Sequence, residues 1–534
     1  MNSNKILETI FSNLIKEIKP DNSENTKIQN ISNETITFIK NYNETHEKYL
    51  ITDISPQGST GLKQTHLKGN SDIDIFIFLD PNLYINHFLE CLKGSSILEK
   101  FQDKNINNKD NHNIIQKKKI KVIKNNDKFL LYRKNKIGIE KLFKNLCVNW
   151  IIPSLKIHNY RNITLSYAEH PYVSAEFKGF DIDIIFAFLL DEDYIKEFGP
   201  ITAVDRTYYH TMFVKKYLDD KQKDYVRILK LFFKSNYSYG DKASTGRGGF
   251  IGYSLEILIY YFKDIYNLIN NFQNLPYIAI DIFNRSPSEL RKLDRFKNDF
   301  LLIIDPTDKN RNVAASISPR SWIYCVKRLQ QFLKQPNLDY FNKSPINLNE
   351  FEFLCNSKNE NFCLIEFKQI SEDHYTKIRD KMYSLANKIT LKAKYDKFKE
   401  ILFKDVDYVV HFNTKSRIYC MAFYTSNPIL KKTYIRKGPN IDDVVSVKKF
   451  CEKYSNAFIK DNYYWVETQR DFISFFDFIK SKFLSNPLKE LEIINISQPI
   501  NCKTHEGRES ILILNNCIIP YSKELEKIKN EVLK

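Results

Sequence analysis

The 534-residue chain is 43% hydrophobic, which excludes wholesale disorder and supplies apolar surface for three or four domains. Lysine and arginine number 81 against 64 acidic residues, a net charge of +17, which favours a polyanionic partner and salt-sensitive binding. No apolar run approaches the ~20 residues needed to cross a bilayer, and nine cysteines with no Cys-x-x-Cys and no histidines at zinc-finger spacing fit a reducing, cytoplasmic setting.

In chain order, residues 5–19 place Ile6, Leu7, Ile10, Phe11, Leu14, Ile15 and Ile18 at helical spacing, ended near Pro20. Glu8, Lys16 and Glu17 interrupt the apolar centre that a signal peptide would have, so the segment reads as an amphipathic helix packed on a domain. The first chemical signal is Gly58-Ser59, followed after twelve intervening residues by Asp72-Ile73-Asp74 in an apolar run ending at Leu79. Side chains alternate along a strand, so Asp72 and Asp74 share one face and Ile73, Ile75 and Ile77 the other. Two uncompensated carboxylates repel, and a divalent cation such as magnesium relieves the repulsion. A glycine lets backbone N–H groups approach a triphosphate, and the serine hydroxyl adds a donor. Two aspartates on the wet face of an edge strand form the competing reading, which the glycine-serine pair at this gap disfavours.

From Asn111 to Glu140 nine lysines and arginines face only Asp127 and Glu140, a net +7 in thirty residues. Ile120–Ile123 and Phe129–Tyr132, separated by Asn125-Asn126-Asp127, predict a basic hairpin that contacts RNA backbone or is simply solvated. Gly179-Phe180-Asp181-Ile182-Asp183 opens a second apolar strand with acids two apart, and spacing does not choose between Asp181 and Asp183. A long amphipathic segment runs from Phe213 to Lys234, and its periodicity puts Lys230 on the solvated face. Four of the chain's 14 glycines fall in Gly246–Gly252 before an apolar run. This loop suits either an RNA phosphate, with Arg247 beside it, or a tight interdomain turn. Farther on, short strands at Tyr408–Phe412 and Arg417–Tyr424 alternate with helices such as Phe472–Phe483. The fold class is α+β and multidomain.

Together, Gly58-Ser59, Thr65, Gly69, Asp72-Ile73-Asp74, Glu169–Val173, Gly179–Asp183, Thr202–Thr207 with His210, Arg227–Lys230, Tyr239-Gly240, Gly248–Tyr253 and Asp305–Asp308 with Arg311–Ala315 resemble the archaeal-type (class I) CCA-adding tRNA nucleotidyltransferases. The resemblance is dense over residues 40–320 and continues thinly to about 480 through Lys437-Gly438-Pro439 and Asn462–Trp465. It implies a polymerase beta-like nucleotidyltransferase catalytic domain over 1–197 with a basic insertion near 100–140. A central helical nucleotide-binding domain over 198–320 would follow, then a C-terminal tRNA-binding body and tail over 321–534. It further implies Asp72, Asp74 and Asp183 as catalytic ligands of two Mg2+ ions. Gly58, Ser59, Lys63, Thr207, His210, Lys230, Tyr239 and Arg311 would contact the nucleotide, with CTP and ATP as substrates and the tRNA acceptor and TψC arms as partner. The sequence leaves open whether the chain forms a homodimer. Relative to the family, Gly61 is an extra residue that puts Lys63 where an arginine is common, and the span from Asp74 to Asp183 is longer.

The implied activity is template-independent addition of C, C and A to tRNA 3' ends. The alternatives are a poly(A) polymerase or other terminal RNA nucleotidyltransferase, an RNA-binding protein with a dead catalytic fold, and an antibiotic-modifying nucleotidyltransferase, the last disfavoured by length and charge.

Overall fold

A computed structural model describes residues 3–69, 72–91, 129–343, 346–396 and 401–533. The amino-terminal sheet has five strands, β1 (Asp53–Gln57), β2 (Asp72–Leu79), β3 (Arg161–Tyr167), β4 (Pro171–Phe177) and β5 (Phe180–Phe188), in the order β1-β2-β5-β4-β3. β2 and β5 run parallel, whereas the other neighbours are antiparallel. Alternation divides β2 and β5 as the apolar pattern predicts. Ile73, Ile75, Ile77, Ile182, Ile184 and Phe186 enter a core with Trp150, Phe143 and residues of the helix Asn22–Tyr42. On the opposite face Asp72 and Asp74 give way to Phe76 and Phe78, which are covered by Val204 and Tyr208. The strand is therefore wet at its start and buried on both faces farther along.

The first helix, α1 (Ser3–Ile18), joins a different core from that of the sheet. Its Leu7, Phe11 and Leu14 pack with α2 (Thr207–Tyr217), α3 (Asp220–Ser235), α4 (Gly252–Phe262) and the carboxy-terminal helix Ser522–Val532. Three short strands, β6 (Ala279–Ile280), β7 (Leu302–Asp305) and β8 (Asp308–Asn312), form a small sheet beside these helices. Beyond them a four-stranded antiparallel sheet combines β9 (Phe362–Gln369), β10 (Asp407–Asn413), β11 (Ile418–Tyr424) and β15 (Leu491–Ser497). The helices Tyr375–Lys394 and Phe475–Leu484 cover one face and His505–Ile513 the other. β12 (Thr433–Asn440), β13 (Phe458–Lys460) and β14 (Tyr463–Gln469) make a separate three-stranded sheet.

Three sequence expectations change. The continuous segment Phe213–Lys234 is two helices, broken where Asp219 caps α3 by accepting from the Gln222 amide. Lys230 is buried rather than solvated, because another layer of protein covers the polar side of α3. Phe129–Tyr132 is not a hairpin arm: Leu130–Lys134 is helical, and the i, i+3 pair Phe129 and Tyr132 packs on Tyr194, Phe88 and Phe188. The other arm, Ile120–Ile123, lies outside the described residues.

Candidate active site

The parallel register of β2 and β5 sets Asp72 opposite Asp181 and Asp74 opposite Asp183. Adjacent strands lie roughly 4.8 Å apart, so four carboxylates from two strands occupy one face. Asp74 and Asp183 are half-buried, and Asp72 and Asp181 are exposed. Burial, followed by the charges of Asp183 and Asp72, pushes the Asp74 carboxyl up to about 7, against a smaller opposing pull from Lys63. Asp183 is also raised, chiefly by burial, although its Oδ1 accepts from Ser174 Oγ on β4.

Gly58 ends β1 directly beside Asp74. Its φ of +68° is left-handed, and a Cβ there would lie 2.2 Å from Asp74 Oδ2, so the carboxylate occupies the space a side chain would need. The Ser59 carbonyl accepts from the Thr65 amide, closing the loop, and Thr60 Oγ1 donates to the Asp72 carbonyl. The loop then docks on the helical layer. Lys63 Nζ is 2.8 Å from Glu256 Oε2, Thr65 Oγ1 donates to Glu256 Oε1 at 2.8 Å, and Lys230 Nζ donates to the Thr65 carbonyl at 2.8 Å. Arg227 adds bonds to the carbonyls of His66 and Gln64. Burial depresses the Lys230 ammonium to about 7. Gly252, at the start of α4, leaves room for Lys230 and for the Tyr239 hydroxyl, each of which a Cβ there would meet at 3.2–3.4 Å.

A second cluster is built around Asp305, at the end of β7. Its Oδ2 accepts from His210 Nε2 and Arg311 Nη1, both at 2.8 Å, and its Oδ1 from the Tyr253 hydroxyl and the Thr307 amide and hydroxyl. Burial alone would raise Asp305, but His210, Arg311 and Thr307 outweigh it and hold the carboxyl far below the usual range. Burial pulls the His210 pKa down to about 4, against an opposing pull from Asp305. The ring stacks on Tyr253 at 3.9 Å, and Lys63 Nζ lies 4.7 Å from the other residue of that stack, Tyr253, which joins the two clusters. Thr207, half-buried, opens α2 three residues before His210.

Of the eleven sequence-predicted site residues, Asp72, Asp74 and Asp183 lie on the acidic face of the amino-terminal sheet (the palm), Gly58, Ser59 and Lys63 in its loop, Thr207 and His210 on α2, Lys230 on α3, Tyr239 in the loop after α3 and Arg311 on β8. Sequence reasoning missed Glu256, visible as the one acid in the apolar run Gly252–Phe262, and gave no role to Asp305 or Tyr253. It also missed Lys234, one turn after Lys230, an exposed residue whose ammonium, lowered on balance by partial desolvation, feels the opposing charge of Asp72. The glycine-rich loop packs closely: a Cβ at Gly246, Gly248 or Gly249 would strike Ser318, the Ser316 carbonyl or the Ser238 carbonyl within 2.3 Å. Arg247 there pairs with Asp380 of the helix Tyr375–Lys394, so steric demand accounts for these glycines as an interdomain turn.

Among the described residues no three Asp, Glu, His or Cys side chains converge as a ready-made ion cage. The donor set nevertheless fits magnesium. It consists of hard carboxylate oxygens with a mutual repulsion that a cation relieves, and magnesium keeps waters and substrate phosphates among its ligands.

A mixed sheet with paired acidic strands behind a glycine-serine loop, joined to a helical layer, defines a nucleotidyltransferase of the polymerase beta-like kind. The family described as tRNA nucleotidyltransferase, second domain, matches residues 224–342. The chain is similar to archaeal CCA-adding enzymes. It is 26% identical to the CCA-adding enzyme of Methanocaldococcus jannaschii over 511 residues, 94% of this chain and 96% of that protein. It is 35% identical to the CCA-adding enzyme of Saccharolobus islandicus over 205 residues, 38% of this chain and 46% of that one. Among solved structures, the Cid1 poly(U) polymerase is 13% identical, with 64% of this chain and 100% of that one covered and a TM-score of 0.40.

Proposed function

We propose that this chain adds C, C and A to tRNA 3' ends from CTP and ATP without a nucleic-acid template. The observation that carries the reading is the β2–β5 register, which aligns Asp72 and Asp74 with Asp181 and Asp183 beside Gly58. End-to-end similarity to a CCA-adding enzyme supports the choice of substrate. Asp72, Asp74 and Asp183 would hold two magnesium ions. When bound, such ions lower the pKa of the attacking 3'-hydroxyl and stabilise the charge on departing pyrophosphate.

The chain's own groups mainly orient and neutralise. Gly58 brings backbone N–H groups close to the triphosphate, and the Ser59 hydroxyl adds a donor. Lys63 and Lys230 set positive charge against the phosphates. His210, Arg311, Thr207 and Tyr239 would meet the base and sugar, with Asp305 fixing the first two. The carboxy-terminal body and tail would hold the acceptor and TψC arms. There Lys437 Nζ sits 3.4 Å from the Tyr463 ring centre and Trp465 lies alongside, a cationic and aromatic surface suited to RNA.

The test uses tRNA transcripts ending at the discriminator base, at C and at CC, with labelled CTP or ATP. Stepwise C, C, A incorporation that then stops is the expected outcome. Homopolymer synthesis from one nucleotide would replace this reading with that of a poly(A) polymerase or other terminal transferase. No incorporation on any transcript would leave a binding protein on a nucleotidyltransferase fold.

A further inference from the structure

We infer that Glu256 is a positioning residue: it holds Lys63, Thr65 and Lys230 in one arrangement beside the Gly58-Ser59 turn, so that both ammonium groups meet a nucleotide triphosphate without reorganising. The inference rests on the nucleotidyl-transfer reading above and deepens it.

Glu256 is 1% exposed, yet both of its oxygens are engaged, Oε2 by Lys63 and Oε1 by Thr65. Lys230 reaches the same threonine through its carbonyl and its hydroxyl, at 2.8 and 3.1 Å. One carboxylate on α4 thus fixes a lysine and a threonine of the palm loop and, through that threonine, a lysine of α3. Lys63 is 193 residues away in sequence. Three segments converge on it at the edge of the acidic face.

Stability does not explain such a group. Buried ion pairs are often no better than apolar side chains of the same volume, because desolvation offsets the attraction. The charge count points to a ligand instead. When both lysines are protonated they carry two positive charges against one negative charge on Glu256, and burial already draws Lys230 down to about 7, so the cluster lacks an anion for its second ammonium. An unmatched buried charge is costly, and a phosphate arriving beside Gly58 would complete the balance. Gly252 supports the same arrangement, since any side chain there would crowd Lys230 and Tyr239. With Glu256 present, the lysines are spaced and aimed before the substrate arrives, so ordering them costs no binding energy. Without its charge, the ammonium groups repel each other and Lys63 loses its anchor.

The experiment titrates CTP and ATP calorimetrically into the full-length chain, with and without magnesium, alongside steady-state incorporation and thermal melting. Glu256→Gln keeps the shape and the bond from Thr65 but removes the charge. Nucleotide affinity should fall about tenfold or more, the scale of one hydrogen bond to a charged group. KM for CTP and ATP should rise in step, while KM for tRNA stays within about twofold; the melting temperature should fall in Glu256→Gln, because Lys63 loses its buried anion. Glu256→Asp retains the charge on a shorter arm and should fall between, with a loss of about three- to tenfold. Unchanged nucleotide affinity in Glu256→Gln overturns the inference, as does a loss shared equally by tRNA. If Glu256→Gln does not fold, Glu256→Asp decides, and nucleotide affinity equal to that of the unsubstituted chain overturns the inference. An unsubstituted chain that binds neither CTP nor ATP overturns the nucleotidyl-transfer reading itself, and this inference with it.

Discussion

Two aspartates in this protein, one half-buried and one fully buried, sit in opposite electrostatic states. Asp74 is surrounded by its own kind, with Asp72 and Asp183 on the same sheet face, and its pKa is driven up to about 7. Asp305 accepts from His210, Arg311, Tyr253 and Thr307, and its pKa lies far below the usual carboxylate range. The palm cluster is an acid surplus whose balance requires added cations. The cluster around Asp305 is already balanced and serves to hold neighbours. Burial of a carboxylate therefore does not identify its role; what it is paired with does.

The comparison is broken most severely by Asp74→Asn. Incorporation of nucleotide should fall by about 10³-fold or more, since several kcal/mol of charge stabilisation would be lost. Thermal stability should hold or rise as the repulsion disappears. A lower melting temperature accompanied by intact activity would make Asp74 structural.

Asp305→Asn should do the reverse in stability. Arg311 would lose its buried anion, and breaking a buried pair costs about 3–5 kcal/mol, measurable by urea unfolding. If unfolding is unaltered, Asp305 does not organise this cluster.

Proton linkage sharpens the contrast. The folded-state pKa of Asp74 is above its ordinary 3.8, so between about pH 4 and 7 the folded chain binds more protons than the unfolded chain. Its contribution to stability is therefore largest at low pH and is lost as pH rises through that window. Asp305 is depressed, so its contribution is present above the ordinary carboxylate pKa and is lost as pH falls below it. Melting curves across pH in EDTA should show the Asp74 decline, absent in Asp74→Asn. Added magnesium should reduce the decline by binding the ionised form. A wild-type profile superimposing on that of Asp74→Asn in EDTA would remove the argument for mutual repulsion.

The smallest effect is expected at Arg247, whose ion pair with Asp380 is largely exposed. Arg247→Ala should cost under about 0.5 kcal/mol and leave KM for tRNA unchanged at low and high salt. A salt-dependent rise in that KM would return the glycine-rich loop to the role of an RNA contact.

Much of the candidate site is legible because strand alternation is local. Asp72 and Asp74 must share a face once Ile73, Ile75 and Ile77 enter the core, and the same holds for Asp181 and Asp183. Helical periodicity misplaced Lys230, since it reports only that one face of α3 is polar. It carries no information that Thr65 and Glu256 cover that face. The acid at Glu256 stands out in a run of Leu, Ile and Tyr, but its role was equally silent, because its cationic partner lies 193 residues upstream.

The sequence by itself determined the two acidic strands, the glycine-serine turn beside the first of them and the basic balance of the chain, all set by neighbours within a few residues. Only the tertiary structure decided that β2 and β5 pair in parallel with their acids in register, that α1 joins the helical core, and that Glu256 and Asp305 gather charges from distant segments. Charge pairing and burial depend on distance in space, and a folded chain brings together residues whose separation along the sequence says nothing of that distance.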